Sequence, residues 1–154
     1  SMSSSENAAK RPPAKRTMTP AEPDAPRTSD VVLDASALGA LVFDEPGGEQ
    51  VLARLASAAI SAVNLSEIVA KAVHRGKAGD AVRAALAGLP LRVLPFDAQQ
   101  AYSAAALYPA VRHAGLSFAD RACLALGVTL QLPVMTADRV WGQLSLPVDV
   151  LVIR

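Results

Sequence analysis

Four acidic residues sit in short polar frames within an otherwise apolar, alanine-rich chain: Asp34 in Val-Leu-Asp-Ala-Ser, Glu67 in Asn-Leu-Ser-Glu, Asp120 in Ser-Phe-Ala-Asp and Asp138 in Thr-Ala-Asp. Carboxylates gathered into one cleft raise each other's pKa by repulsion. Such a cluster stays ionised at neutral pH chiefly when a divalent cation offsets it. Oxygen-only ligands with no His or Cys beside them select hard cations, so the expected cofactor is Mg2+ or Mn2+ rather than zinc or copper.

Each acid also has an ordinary explanation. Asp34 precedes a predicted helix and suits an N-terminal cap, while Asn64-Leu-Ser-Glu67 and Ser117-Phe-Ala-Asp120 both have the form of a capping box. Thr136-Ala-Asp138 suits a plain turn. Taken singly, capping is the better account of Glu67 and Asp120, and the two accounts are balanced at Asp34 and Asp138. Taken together the four exceed what capping requires, because the elements around them bring all four to one place.

Those elements alternate. Val31 to Leu33 is a continuous apolar run ending in Asp34, the pattern of a strand buried on both faces. A short helix over 37–43 stops at the Pro46-Gly47-Gly48 breaker, and a second covers 49–58 with Val51, Leu52 and Leu55 inward. A strand over 59–63 leads to a helix from Asn64 to Arg75, ended by Gly76. Next come a helix over 79–87, a strand over 91–96, and a helix that Asp97 caps and Pro109 breaks. An amphipathic helix over 117–130, a short strand at Val134 and Met135, and a last strand over 148–153 complete the chain. This order predicts one α/β domain with a mainly parallel twisted sheet of four to five strands and helices on both faces. In such sheets ligands bind beyond the carboxyl ends of the strands, where Asp34, Glu67 and Asp138 each follow a strand and Asp120 opens a helix.

Composition bounds the rest. The 154 residues are 51% hydrophobic, which suits one compact domain. Residues 1–29 are rich in Ser, Pro, Lys and Arg without an apolar period and read as a disordered basic tail, with Ser1-Met2 as an expression scar. That tail holds five basic residues against three acidic, whereas residues 30–154 hold ten against eleven. Bulk charge therefore does not announce a nucleic-acid binder, and 4% aromatic content argues against a stacking platform for single strands. The lone Cys123 shares a helical face with Ala119, Ala122, Leu126 and Leu130 and reads as a core residue. One cysteine excludes an internal disulfide and, with no membrane-spanning run and no secretory segment, makes the cytoplasm the expected location.

Over residues 30–154 the chain resembles the PIN-domain ribonucleases, most closely the VapC-type toxins of toxin–antitoxin modules. The resemblance is carried by Asp34-Ala-Ser36 after the first strand, Glu67 in the helix after the second, Gly-Leu-Ser-Phe-Ala-Asp-Arg-Ala-Cys-Leu-Ala-Leu-Gly around Asp120, and Val-Met-Thr-Ala-Asp-Arg around Asp138. It implies that Asp34, Glu67, Asp120 and Asp138 are the catalytic and metal-binding acids, with Ser36 and Thr136 as hydroxyls that orient them. It further implies an RNA substrate, a homodimer, and a VapB-like antitoxin whose C-terminal segment enters the acidic groove. The implied reaction is Mg2+- or Mn2+-dependent hydrolysis of RNA phosphodiesters.

Arg121 and Arg139, next in sequence to two of the acids, and Lys71, one turn after Glu67, are the candidate phosphate contacts. Glu67 and Lys71 also form an ordinary i,i+4 pair. His74 and His113 are isolated near helix ends, and no Ser–His–Asp or Cys–His arrangement competes with a metal. Two other classes stay open: a receiver-type phosphoacceptor domain, which lacks here its second acid before Asp34 and its Lys after the last strand, and a non-catalytic binding module whose acids are only caps.

Overall fold

The computed structural model describes residues 29–154. The expected tail therefore lies outside the described residues except for Ser29. Five strands form one sheet: β1 (Val31–Leu33), β2 (Ala58–Ser61), β3 (Arg92–Leu94), β4 (Val134–Thr136) and β5 (Val150–Val152). Their spatial order is β3-β2-β1-β4-β5, and every neighbouring pair is parallel. Parallel neighbours need crossover connections, which cover both faces of the sheet with helices.

The helices are α1 (Ala35–Val42), α2 (Gly48–Arg54), α3 (Ala62–His74), α4 (Gly79–Ala87), α5 (Ala98–Ala106), α6 (Tyr108–Val111) and α7 (Phe118–Leu130). Successive residues of a strand point to opposite faces, and β1 feeds two cores accordingly. Val31 and Leu33 pack with Leu38, Val51 and Ile68 on one side, and Val32 packs with Val111, Leu124 and Trp141 on the other. All three β1 residues are fully buried. At about 1.5–3 kcal/mol for each buried aliphatic side chain, this short strand anchors both layers.

The Pro46-Gly47-Gly48 breaker has a steric cause. Gly47 takes φ of 93°, and a Cβ there would lie 2.6 Å from the Ile153 carbonyl oxygen; a Cβ at Gly48 would lie 2.5 Å from the Ala40 carbonyl oxygen. The glycine pair thus lets α1, α2 and the end of the chain meet.

Several boundaries differ from the sequence reading, each for a local reason. The first helix begins at Ala35 rather than Ala37, because Asp34 itself caps it. The second ends at Arg54 and tightens into a 3-10 turn over Leu55–Ser57, which leaves Leu52 60% exposed rather than inward. The third begins at Ala62, capped by Ser61, so Asn64 lies inside its first turn and Asn64-Leu-Ser-Glu67 is not a capping box. Pro109 sits in the first turn of the short α6 instead of merely breaking the preceding helix, which ends at Ala106.

The strand order also removes the receiver-type reading. That fold runs 2-1-3-4-5, with β1 between β2 and β3, whereas here β1 lies between β2 and β4 and β3 stands at the edge. No helix among the described residues is long and apolar enough to cross a membrane.

Candidate active site

Because all five strands run the same way, the ends of β1, β2 and β4 open on one edge of the sheet. Asp34 directly follows β1, Glu67 lies in the second turn of α3 after β2, Asp138 follows β4, and Asp120 occupies the first turn of α7. All four line one open pocket of about 430 Å³ together with Ser36, Ile68 and Lys71. Among the described residues no three His, Cys, Asp or Glu side chains converge tightly enough to grip an ion as they stand. The carboxylates ring the pocket.

Asp34 is the buried member, 4% exposed. Its Oδ1 accepts the Ala37 N–H at 2.8 Å and the Ser36 hydroxyl at 2.7 Å, and its Oδ2 accepts the Thr136 hydroxyl at 2.6 Å. The two hydroxyls are themselves aimed by the backbone. Ala137 N–H donates to Ser36 Oγ at 2.9 Å and Asp138 N–H donates to Thr136 Oγ1 at 3.0 Å. A hydroxyl has one proton; with its oxygen engaged by an amide, that proton is free to turn to the carboxylate. Burial nevertheless dominates and pushes Asp34 up to about 6, against the bonds from Thr136, Ala37 and Ser36 that lower it and with a small further rise from Asp120.

The other three acids are more open. Asp120 forms the expected capping box: its Oδ2 accepts Ser117 N–H at 2.8 Å while its own N–H donates to Ser117 Oγ at 3.1 Å. Asp138 caps the 3-10 turn Arg139–Gln143 by accepting Val140 N–H at 3.0 Å. Glu67 accepts from Asn64 Nδ2 at 3.3 Å. Partial desolvation raises its pKa, the Asn64 bond opposes that, and the neighbouring Asp120 charge adds to it. Cys123 lies fully buried on α7 near this group; burial first, then the Asp34, Asp120 and Glu67 charges, pushes its thiol well above the usual range. It is the core residue expected.

Of the three candidate phosphate contacts, only Lys71 lines the pocket. It makes no ion pair with Glu67. Its ammonium lies 5.4 Å from the centre of the Phe43 ring. Arg121 turns the other way: its Nη1 donates to the Ala104 carbonyl at 3.2 Å, with the Tyr108 and Phe118 rings 5.4 and 5.9 Å off. Successive helical side chains diverge by about 100°, so Arg121 cannot share the direction of Asp120. Arg139 is also diverted, its Nε donating to the Arg154 carbonyl at 2.9 Å. His74 and His113 are exposed, as expected.

The sequence reading missed Asn64 as a member of this site. It is fully buried yet reaches both Glu67 and the Ala119 carbonyl. An amide side chain flanked by Ala62, Val63 and Leu65 at an apolar helix start was the available signal, and the cap reading absorbed it.

The PIN domain family model matches residues 31–145. Among solved structures, the chain is similar to DNA-bound VapBC from Salmonella typhimurium, with 18% identity and a TM-score of 0.64 over 82% of this chain and 100% of that one. It is similar to FitAcB from Neisseria gonorrhoeae, with 21% identity and a TM-score of 0.59 over 79% and 96%. It is also similar to VapBC-5 from Mycobacterium tuberculosis, a member of a family of toxin–antitoxin systems, with 23% identity and a TM-score of 0.52 over 84% and 99%. At these identities the likeness is one of fold. No curated protein matches.

Proposed function

The chain belongs to the PIN-domain family, and on that premise we propose that it is a divalent-metal-dependent endoribonuclease, the toxin of a type II toxin–antitoxin pair. The observation that carries the reading is the single pocket lined by Asp34, Glu67, Asp120 and Asp138 with Lys71 as its one cationic lining residue. Among the described residues no Lys or Arg forms an ion pair with any of the four acids. Their donor set fits a hard cation: oxygen only, with the nearby thiol buried and held protonated. Asp34, Glu67, Asp120 and Asp138 would hold Mg2+ or Mn2+. When bound, such an ion activates water and offsets charge on a phosphodiester.

The chain's own residues do the rest. Ser36 and Thr136 fix both oxygens of Asp34 and oppose its tendency to take up a proton on burial. Glu67 and Asp138 are exposed and adjust by side-chain rotation. Lys71 meets the phosphate as a mobile point charge. No side chain becomes covalently linked to the substrate.

A partner surface adjoins the pocket. An apolar groove of about 460 Å³ runs between α1–α2 and α3–α4, lined by Phe43, Leu52, Ala81, Val82 and Leu86 among others, and Lys71 over Phe43 separates it from the acids. The relatives solved as VapBC complexes support a VapB-like antitoxin as partner; in this reading it lies along the groove and presents a Lys or Arg to the carboxylates. A homodimer is part of the same reading. The competing reading is a binding module, favoured by the caps that Asp34, Asp120 and Asp138 do form.

Cleavage of a mixed RNA with Mg2+, paired with melting in EDTA, separates the two. Asp34→Asn and Asp120→Asn should abolish cleavage in a folded protein. Full activity in either would refute the metal reading, and a collapsed fold would favour caps alone.

A further inference from the structure

Asn64 is completely buried in the first turn of α3, and its amide is divided unevenly. Nδ2 donates at 3.0 Å to the Ala119 carbonyl, fifty-five residues away on α7, and at 3.3 Å to Glu67 Oε2. Oδ1 has no hydrogen-bond partner among the described residues. Both acceptors of Nδ2 are oxygens, which fixes the orientation of the amide.

This arrangement is poor for the fold and good for the site. A buried oxygen without a partner is destabilising, and an apolar residue of similar volume would avoid it. The Ala119 carbonyl does not depend on Asn64, because inside α7 it also faces the N–H four residues on, that of Cys123. Glu67, by contrast, has no other side-chain hydrogen bond and no ion pair among the described residues, and Asp120 repels it. One nitrogen thus ties an exposed, repelled carboxylate to the peptide just before Asp120.

Resting on the proposed function, we infer that Asn64 is a positioning residue that sets the separation of Glu67 and Asp120 for a divalent cation. Its two donors span α3 and α7 at the level of the pocket, and its orphaned oxygen is the structural cost of placing them there. Groups that orient metal ligands commonly change metal affinity about 10- to 100-fold when removed.

The test is calorimetric titration of MnCl2 into the full chain, with thermal melting in EDTA as the control. Asn64→Leu removes both donors and the orphaned oxygen. It should melt at or above the wild-type temperature without metal, yet bind Mn2+ about 10- to 100-fold more weakly. Asn64→Thr keeps one donor and should recover part of that affinity. Equal Mn2+ binding by wild type and a folded Asn64→Leu overturns this role alone, and so does failure of Asn64→Leu to fold, which would make Asn64 a fold residue. Absence of Mn2+ binding by the wild type overturns the proposed function itself, and this role with it.

Discussion

Ser36 and Thr136, a hundred positions apart in the chain, bring their hydroxyl oxygens within 3.2 Å of each other and close over the Asp34 carboxylate from two different strand ends. The contact joins the first turn of α1, directly after β1, to the end of β4. It makes the position of Asp34 a property of the sheet rather than of α1 alone.

Thr136→Val keeps the volume and removes the hydroxyl. Asp34 Oδ2 then loses its 2.6 Å donor and Asp138 N–H loses its acceptor. A hydrogen bond to a charged group contributes about 1.5–3 kcal/mol, and loss of that order is expected in metal-free protein at neutral pH. The acid limb of the cleavage profile should move to higher pH, since Thr136 is the largest influence holding Asp34 down. Urea unfolding and a pH–rate profile check both parts. A stability within about 0.5 kcal/mol of wild type would show the hydroxyl to be idle.

Metal-free stability should fall as pH rises toward neutrality. Asp34 titrates near 3.8 in the unfolded chain and at about 6 when folded. Between those values the folded state binds a proton that the unfolded state has released, so stability is highest at the acid end and declines until the folded group is ionised. The full difference corresponds to about 3 kcal/mol, present above about pH 6 as destabilisation. Denaturation in EDTA at about pH 5 and about pH 7.5, compared between wild type and Asp34→Asn, isolates this group from other carboxylates. Identical slopes for the two proteins would contradict it.

How much of this was legible beforehand depended on how local the determinant was. The apolar run of β1 identified itself because both faces are buried, and the Ser117–Asp120 capping box because its partners are three residues apart. Asn64 was not legible. Ser61 and Asn64 are both competent caps at the same helix start, and the strand expected to reach residue 63 ends instead at Ser61, which pairs with Leu94 of β3, so Ser61 takes the cap and Asn64 falls inside the helix. Arg121 misled through sequence adjacency, since the packing of α5 on α7, not nearness to Asp120, decides where its guanidinium goes.

Lys71 and Arg121 should therefore behave differently when changed. Lys71→Gln removes an exposed charge from the pocket and should raise KM about three- to tenfold with little change in kcat, as for an ion contact of about 1 kcal/mol. Arg121→Ala should leave KM alone and lower stability by about 1–2 kcal/mol through its lost carbonyl bond and ring contacts. Steady-state cleavage of one RNA and melting of both variants decide the matter. Reversed phenotypes would return Arg121 to the phosphate path.

A chain beginning at Ser29 should retain its turnover. The family match begins at residue 31, β1 begins at Val31, and every residue lining the acidic pocket lies beyond it. The removed stretch carries five basic residues against three acidic. Its expected contribution is a weak, sequence-independent attraction to RNA phosphates, largely screened at physiological ionic strength, where the Debye length is about 8 Å. At saturating RNA the rate should equal that of the full chain, and affinity should drop only at low salt, with a shallower dependence of binding on salt concentration. Cleavage rates at saturating substrate and binding at two salt concentrations measure the two parts separately. Loss of turnover at saturating RNA would mean that residues 1–28 supply part of the active site, and that the domain does not begin at Asp30.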